Sequence, residues 1–90
     1  MQFHSPLPTL DPTLAALLQA EEDKQRDSIR LIASENYASA AVREASASVL
    51  TNKYSEGYAG ARYYEGQQIV DQVERLAIAR ARVVFNAEHV

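Results

Sequence analysis

A mainly α-helical chain, three helices linked by one tyrosine- and glycine-rich loop, is what three features of this sequence predict. Apolar residues recur at helical spacing in three separate segments. Residues that start or stop helices stand at the edges of those segments. All three glycines, with four of the five tyrosines, fall in a single stretch, Leu50–Gly66. Ninety residues make one domain at most. Much of the 47% apolar content is alanine, with no tryptophan and two phenylalanines, so the available core is thin. Such a chain is marginally stable alone, or depends on something it packs against.

In chain order, residues 1–12 read as an extended arm, because Pro6 and Pro8 favour extended backbone before each ring. His4 is a lone histidine in that arm and carries no metal or catalytic signal by itself. Asp11-Pro12 is an N-cap followed by proline at the first helical position, and predicts a helix over 13–28. Leu14, Leu17 and Leu18 form its apolar face; the run Glu21–Asp27 is solvated, with Glu22 and Arg26 spaced as an i,i+4 pair. Ile29–Tyr37 breaks the helical period and reads as an extended segment leading to a turn, where Ser34 and Asn36 compete for local backbone bonds. Ser39 caps a second helix over 39–50, striped by Ala38, Val42, Ala45 and Val49. A third helix spans 67–85 on Ile69, Val73, Leu76, Ala77 and Val84. Asp71 and Arg75 are spaced as a pair within it, and Asn86 is suited to the left-handed residue that ends it.

Between the second and third helices, 51–66 is the stretch with chemistry to offer. Glu56 lies among glycines and phenols, where desolvation would raise its pKa and let it carry a proton near neutrality. Tyrosine hydroxyls donate to phosphate or carboxylate oxygens, and their rings stack on flat ligands. Lys53 and Arg62 bring positive charge for anionic groups. These groups describe a site for a phosphate- and carboxylate-bearing aromatic ligand. The same composition also describes a protein–protein interface or a surface loop. Stacking on single-stranded nucleic acid ranks last, since Glu56 and Glu65 balance Lys53 and Arg62.

Bulk properties narrow the classes. A net charge of −3 lacks the basic footprint of a nucleic-acid binder. Without cysteine there is neither a disulfide framework nor a thiolate metal site, in keeping with a cytoplasmic setting. No apolar run reaches the ~18 residues of a membrane span. The first twelve residues have neither the basic start nor the apolar run of a secretory signal. No phosphate loop of the Walker or dinucleotide type is present.

Three segments closely resemble the N-terminal region of serine hydroxymethyltransferases: LIASENY (Leu31–Tyr37), SVLTNKYSEGYAGARYYEG (Ser48–Gly66) and VDQVERLAIARARVVFNAEHV (Val70–Val90). The likeness is weaker in the first helix. The resemblance implies a pyridoxal 5'-phosphate enzyme of the α/β aspartate-aminotransferase fold type, one that interconverts serine and glycine with transfer of a one-carbon unit to tetrahydrofolate. It implies a homodimer in which these segments reach across to the partner subunit's active site. On the matching positions, Ser34, Tyr54 and Tyr64 would serve the cofactor. Glu56 would be the acid/base carboxyl beside the substrate hydroxyl and the folate. Tyr63 and Tyr64 would line the substrate and folate side, and Arg62 would support the loop rather than react.

Four positions depart from the family's usual pattern: Glu65, Ala47 and Asn86 stand where glycine is usual, and Ala59 where proline is. Glu65 brings charge and bulk next to Tyr64 and bears on the loop's shape. The family's cofactor lysine and the large domain around it have no counterpart here; the chain's two lysines, Lys24 and Lys53, lie outside that motif. The expectation is therefore an N-terminal segment inactive by itself. The competing class is a helical interaction module that keeps the loop without its chemistry.

Overall fold

A computed structural model describes residues 7–90, so His4, Pro6 and the first half of the arm lie outside the described residues. The elements in order are helix α1 (Leu7–Leu10), helix α2 (Pro12–Asp27), helix α3 (Ala40–Ser46), a 3-10 turn (Val49–Asn52), strands β1 (Gly57–Tyr58) and β2 (Ala61–Arg62), and helix α4 (Gln68–Phe85). The described residues are mainly helical, with one two-stranded antiparallel sheet. It divides into two units, one ending at Arg43 and the other running from Glu44 to Val90.

In the first unit, Leu7–Leu10 is a helical turn and not extended backbone. Pro8 lies in its first turn, where the N–H that proline lacks has no helical partner to lose. Asp11 caps α2: its side chain accepts a 2.9 Å bond from the Leu14 N–H, and Pro12 follows at the first helical position. Arg26 does not take up Glu22 as its ion partner. Its guanidinium lies on Asp23 (2.8 Å) and Asp27 (3.2 Å), three residues back and one ahead. Beyond α2 the chain has no regular structure up to a turn at Ala33-Ser34, closed by the Glu35 N–H on the Ile32 carbonyl at 3.0 Å.

Helix α3 runs across the junction between the units and is shorter than its apolar stripe. The Ser39 hydroxyl accepts from the Val42 N–H at 3.3 Å, as an N-cap should. The ladder stops at Ser46, and the chain re-forms as the 3-10 turn from Val49. Serines and β-branched residues fill this stretch, and both are weak in helix interiors. The Thr51 hydroxyl donates to the Ser48 carbonyl at 3.0 Å, a side-chain bond of the kind that competes with the ladder.

In the second unit the loop contains a hairpin that periodicity did not reveal. Gly57 pairs with Arg62 and Tyr58 with Ala61, and Ala59-Gly60 make the turn. Gly57 has φ +101°, and an added Cβ would run into the Ala61 carbonyl oxygen, so only glycine fits there. Helix α4 ends where Asn86 turns left-handed (φ 48°, ψ 45°), with the Ala87 N–H on the Arg82 carbonyl at 3.1 Å.

Among the described residues no apolar side chain is buried. The leucines of α2, Ile29, Leu31 and the apolar face of α4 (Ile69, Val73, Leu76, Val84) all face outward. The one buried residue among those described is polar: Gln67, 4% exposed. Polar contacts, not apolar packing, hold the loop to α4.

Candidate functional site

The site is built on α4. From its first turns Asp71 and Glu74 reach back to the hairpin, and Arg62 closes the arrangement. The Arg62 guanidinium donates to Asp71 (2.8 Å) and to Glu74 (2.7 Å), and its side chain is only 5% exposed. The same carboxylates accept main-chain N–H groups from the turn, Gly60 on Asp71 at 2.9 Å and Ala59 on Glu74 at 3.0 Å. Asp71 is thus committed to the loop rather than to Arg75. The bond from Arg62, then the Gly60 N–H, hold the Asp71 carboxyl below the usual aspartate range. Its bond with Asp71 in turn raises the Arg62 pKa above the usual arginine value. Fully engaged in this way, Arg62 is a structural cation and does not offer its charge to an anionic ligand.

The other end of the guanidinium fixes the main chain around Glu56. One Arg62 nitrogen donates to the carbonyls of Ser55 (2.7 Å) and Gly57 (3.0 Å), the two neighbours of Glu56. The Glu56 carbonyl accepts the Tyr63 N–H at 3.1 Å. Three successive carbonyls are held, so the Glu56 Cα has little freedom. Its side chain nevertheless stands exposed, which corrects the expectation of a desolvated carboxyl: nothing among the described residues takes Glu56 out of water. The open groove between loop and helix is walled by Arg62, Gln67, Asp71 and Tyr64, and Glu56 is not in it.

The phenols divide. Tyr54 and Tyr64 approach each other with ring centroids 6.4 Å apart, tilted by 57°, within the range for an aromatic pair. Tyr54 remains 77% exposed, and Tyr58 and Tyr63 also face solvent. Ser34 belongs to the first unit, exposed at its turn. There Arg30 stacks on the Tyr37 ring (4.7 Å to the centroid), donates to the Tyr37 hydroxyl (3.2 Å) and pairs with Glu35 (3.0 Å).

Sequence reasoning missed three contributors, Ser55, Gln67 and Glu74. Their signal was weak, since a lone serine, glutamine or glutamate beside a helix reads as ordinary surface. The departures from the family pattern prove compatible with the loop. Glu65 and Ala47 have no positive φ, so neither position needs glycine. Asn86 adopts the left-handed geometry itself, and Ala59 supplies an N–H to Glu74 that proline lacks.

The arrangement defines a class of device: a helix-mounted hairpin that displays a carboxyl and several phenols on a main chain locked by ions. The comparisons with known proteins supply the family. The model for serine hydroxymethyltransferase matches residues 7–90. The serine hydroxymethyltransferase of Desulfotalea psychrophila is 65% identical over 80 residues, covering 89% of this chain and 19% of that protein. Those of Acidothermus cellulolyticus (59% over 83 residues; 92% and 19%) and Nitrosospira multiformis (55% over 90 residues; 100% and 22%) are similar. This chain belongs to the serine hydroxymethyltransferase family. It matches the relatives' N-terminal region and spans about a fifth of their length.

Proposed function

We propose that this chain is the N-terminal part of a serine hydroxymethyltransferase that moves the serine hydroxymethyl carbon to tetrahydrofolate, leaving glycine, and runs in reverse. The parent fold would be the α/β aspartate-aminotransferase type, acting as a cytoplasmic homodimer in which the loop reaches the partner's active site. The observation that carries this reading is the locked main chain on both sides of Glu56 beneath an exposed carboxyl. A group presented in this way is suited to a substrate bound on another surface, which would also remove the carboxyl from water.

Pyridoxal 5'-phosphate is the cofactor the family implies, and the phenols of the second unit suit its phosphate end. The Tyr54 hydroxyl is exposed and can donate to a phosphate oxygen, with Tyr64 against it; Ser34, exposed on the first unit, would take the same role on its own account. When bound, the cofactor supplies an electron sink for breaking bonds at the amino-acid α-carbon. Glu56 would hold or take the proton at the substrate hydroxyl, with Tyr63 and Tyr64 beside the substrate and folate. Lys24 lies within α2 beside Glu21, and Lys53 is exposed next to the loop. Neither is in the family's cofactor motif, so the chain alone is expected to be inactive.

Glu56→Gln in the full-length protein keeps the side chain's shape and removes its titrating proton. Turnover should fall by roughly 10²–10⁴-fold with cofactor retention unchanged. Equal losses in both would make Glu56 structural and end the proposal. Tyr54→Phe should instead shorten cofactor retention on dialysis, and unchanged retention would remove Tyr54 from the phosphate. The uncovered apolar side chains also favour a second reading, an interaction module without catalysis; turnover by the full-length protein excludes it.

A further inference from the structure

Gln67 occupies the N-cap of α4, a position where serine, threonine, aspartate or asparagine stabilises a helix relative to alanine. It makes no side-chain capping bond. Its amide turns away from its own helix. The carbonyl oxygen accepts the Ser55 hydroxyl at 2.9 Å, and the nitrogen donates to the Tyr54 carbonyl at 2.9 Å, with the Glu65 carbonyl at 3.5 Å. Its partners 12 and 13 residues earlier are the two residues that lead into Glu56. A residue 4% exposed, where no apolar side chain among the described residues is buried, is not there to fill a core.

We infer that Gln67 is a positioning residue for the reactive loop: its amide clasps the Tyr54 carbonyl and the Ser55 hydroxyl and so sets where Tyr54 and Glu56 stand. Arg62 fixes the loop from the hairpin side, and Gln67 fixes it from the side on which the chain enters. Both ends of the amide are needed, because one side holds a carbonyl and the other a hydroxyl that donates. The inference rests on the proposed function for its catalytic consequence, but not for the clasp itself.

Two substitutions in the full-length protein separate the clasp from helix stability. Gln67→Asn is one methylene too short to reach both partners, yet asparagine is a good N-cap, so α4 should be as stable as before or more so. Gln67→Glu keeps the length and the bond from Ser55 but sets an oxygen against the Tyr54 carbonyl. Both variants should speed amide exchange in the Tyr54–Gly57 segment and at the Tyr63 N–H by about tenfold or more, with the melting temperature unchanged or raised for Gln67→Asn. Both should lower kcat at least about tenfold with a smaller change in KM, since displacing a reacting group by about 1 Å can cost on the order of 100-fold. Wild-type exchange and kcat in both variants would overturn the inference, as would loosened exchange with unchanged kcat. A wild-type protein with no hydroxymethyl transfer would defeat the proposed function instead, and the exchange data would then judge the clasp alone.

Discussion

Two arginines each gather a loop in this chain. Arg62 holds two carboxylates and two carbonyls of the Glu56 loop with a side chain 5% exposed. Arg30 holds Glu35 and the Tyr37 ring beside the Ser34 turn with a side chain 28% exposed. The chemistry is the same in kind, but solvent competes for every contact of Arg30 and for almost none of Arg62's. Exposed ion pairs are screened and trade readily with water, whereas carbonyls left without a donor in a water-poor site have no substitute. A guanidinium therefore dictates shape where water is kept away and merely favours it where water is present.

The sharpest way to break this contrast is to remove each cation. Arg62→Ala should abolish protection of the Tyr63 N–H and lower turnover of the full-length protein by on the order of 100-fold, because the Glu56 main chain loses its fixed pose. Arg30→Ala should change turnover less than about tenfold and leave Tyr63 exchange untouched. Amide exchange by mass spectrometry and steady-state kinetics read both, and comparable losses for the two variants would erase the distinction. Next in size is Gly57→Ala, which leaves every ion in place but forces a side chain into φ +101° against the Ala61 carbonyl. It should destabilise the hairpin by roughly 1–3 kcal/mol, seen as a lower denaturation midpoint. A neutral result would mean that the ions alone shape the loop.

The smallest effect is acid loosening of the Arg62 cluster. Asp71 is depressed in the folded chain, so its contribution is complete above the usual aspartate value of 3.8 and is lost as pH falls below that toward the folded value. The Gly60 amide, which donates to Asp71, should shift in NMR spectra only in that window. A transition above it would assign the change to another group.

Much of this architecture was legible from residue order. The capping of α2 by Asp11-Pro12, the capping of α3 by Ser39 and the left-handed stop at Asn86 were all readable in the chain. So was the family, because motifs such as LTNKYSEGY are contiguous. These signals act within one or two turns of backbone, so neighbouring residues carry them complete. The break of α3 after Ser46 was not legible, since the apolar stripe continues past the point where serines and β-branched residues end the ladder.

Partner choice was not legible either. At the spacing of a single helix, Asp71 belongs with Arg75 and Glu22 with Arg26. In the folded chain Asp71 takes Arg62, nine residues earlier, and the side chain of the N-cap residue Gln67 turns to Tyr54 and Ser55. Such choices depend on where the hairpin lies against α4. A charge or amide meets whichever group the returning chain brings near, and helical periodicity holds no record of that return. The exposure of Glu56 has the same origin, because burial is a property of what surrounds a side chain and not of the residues beside it in the chain.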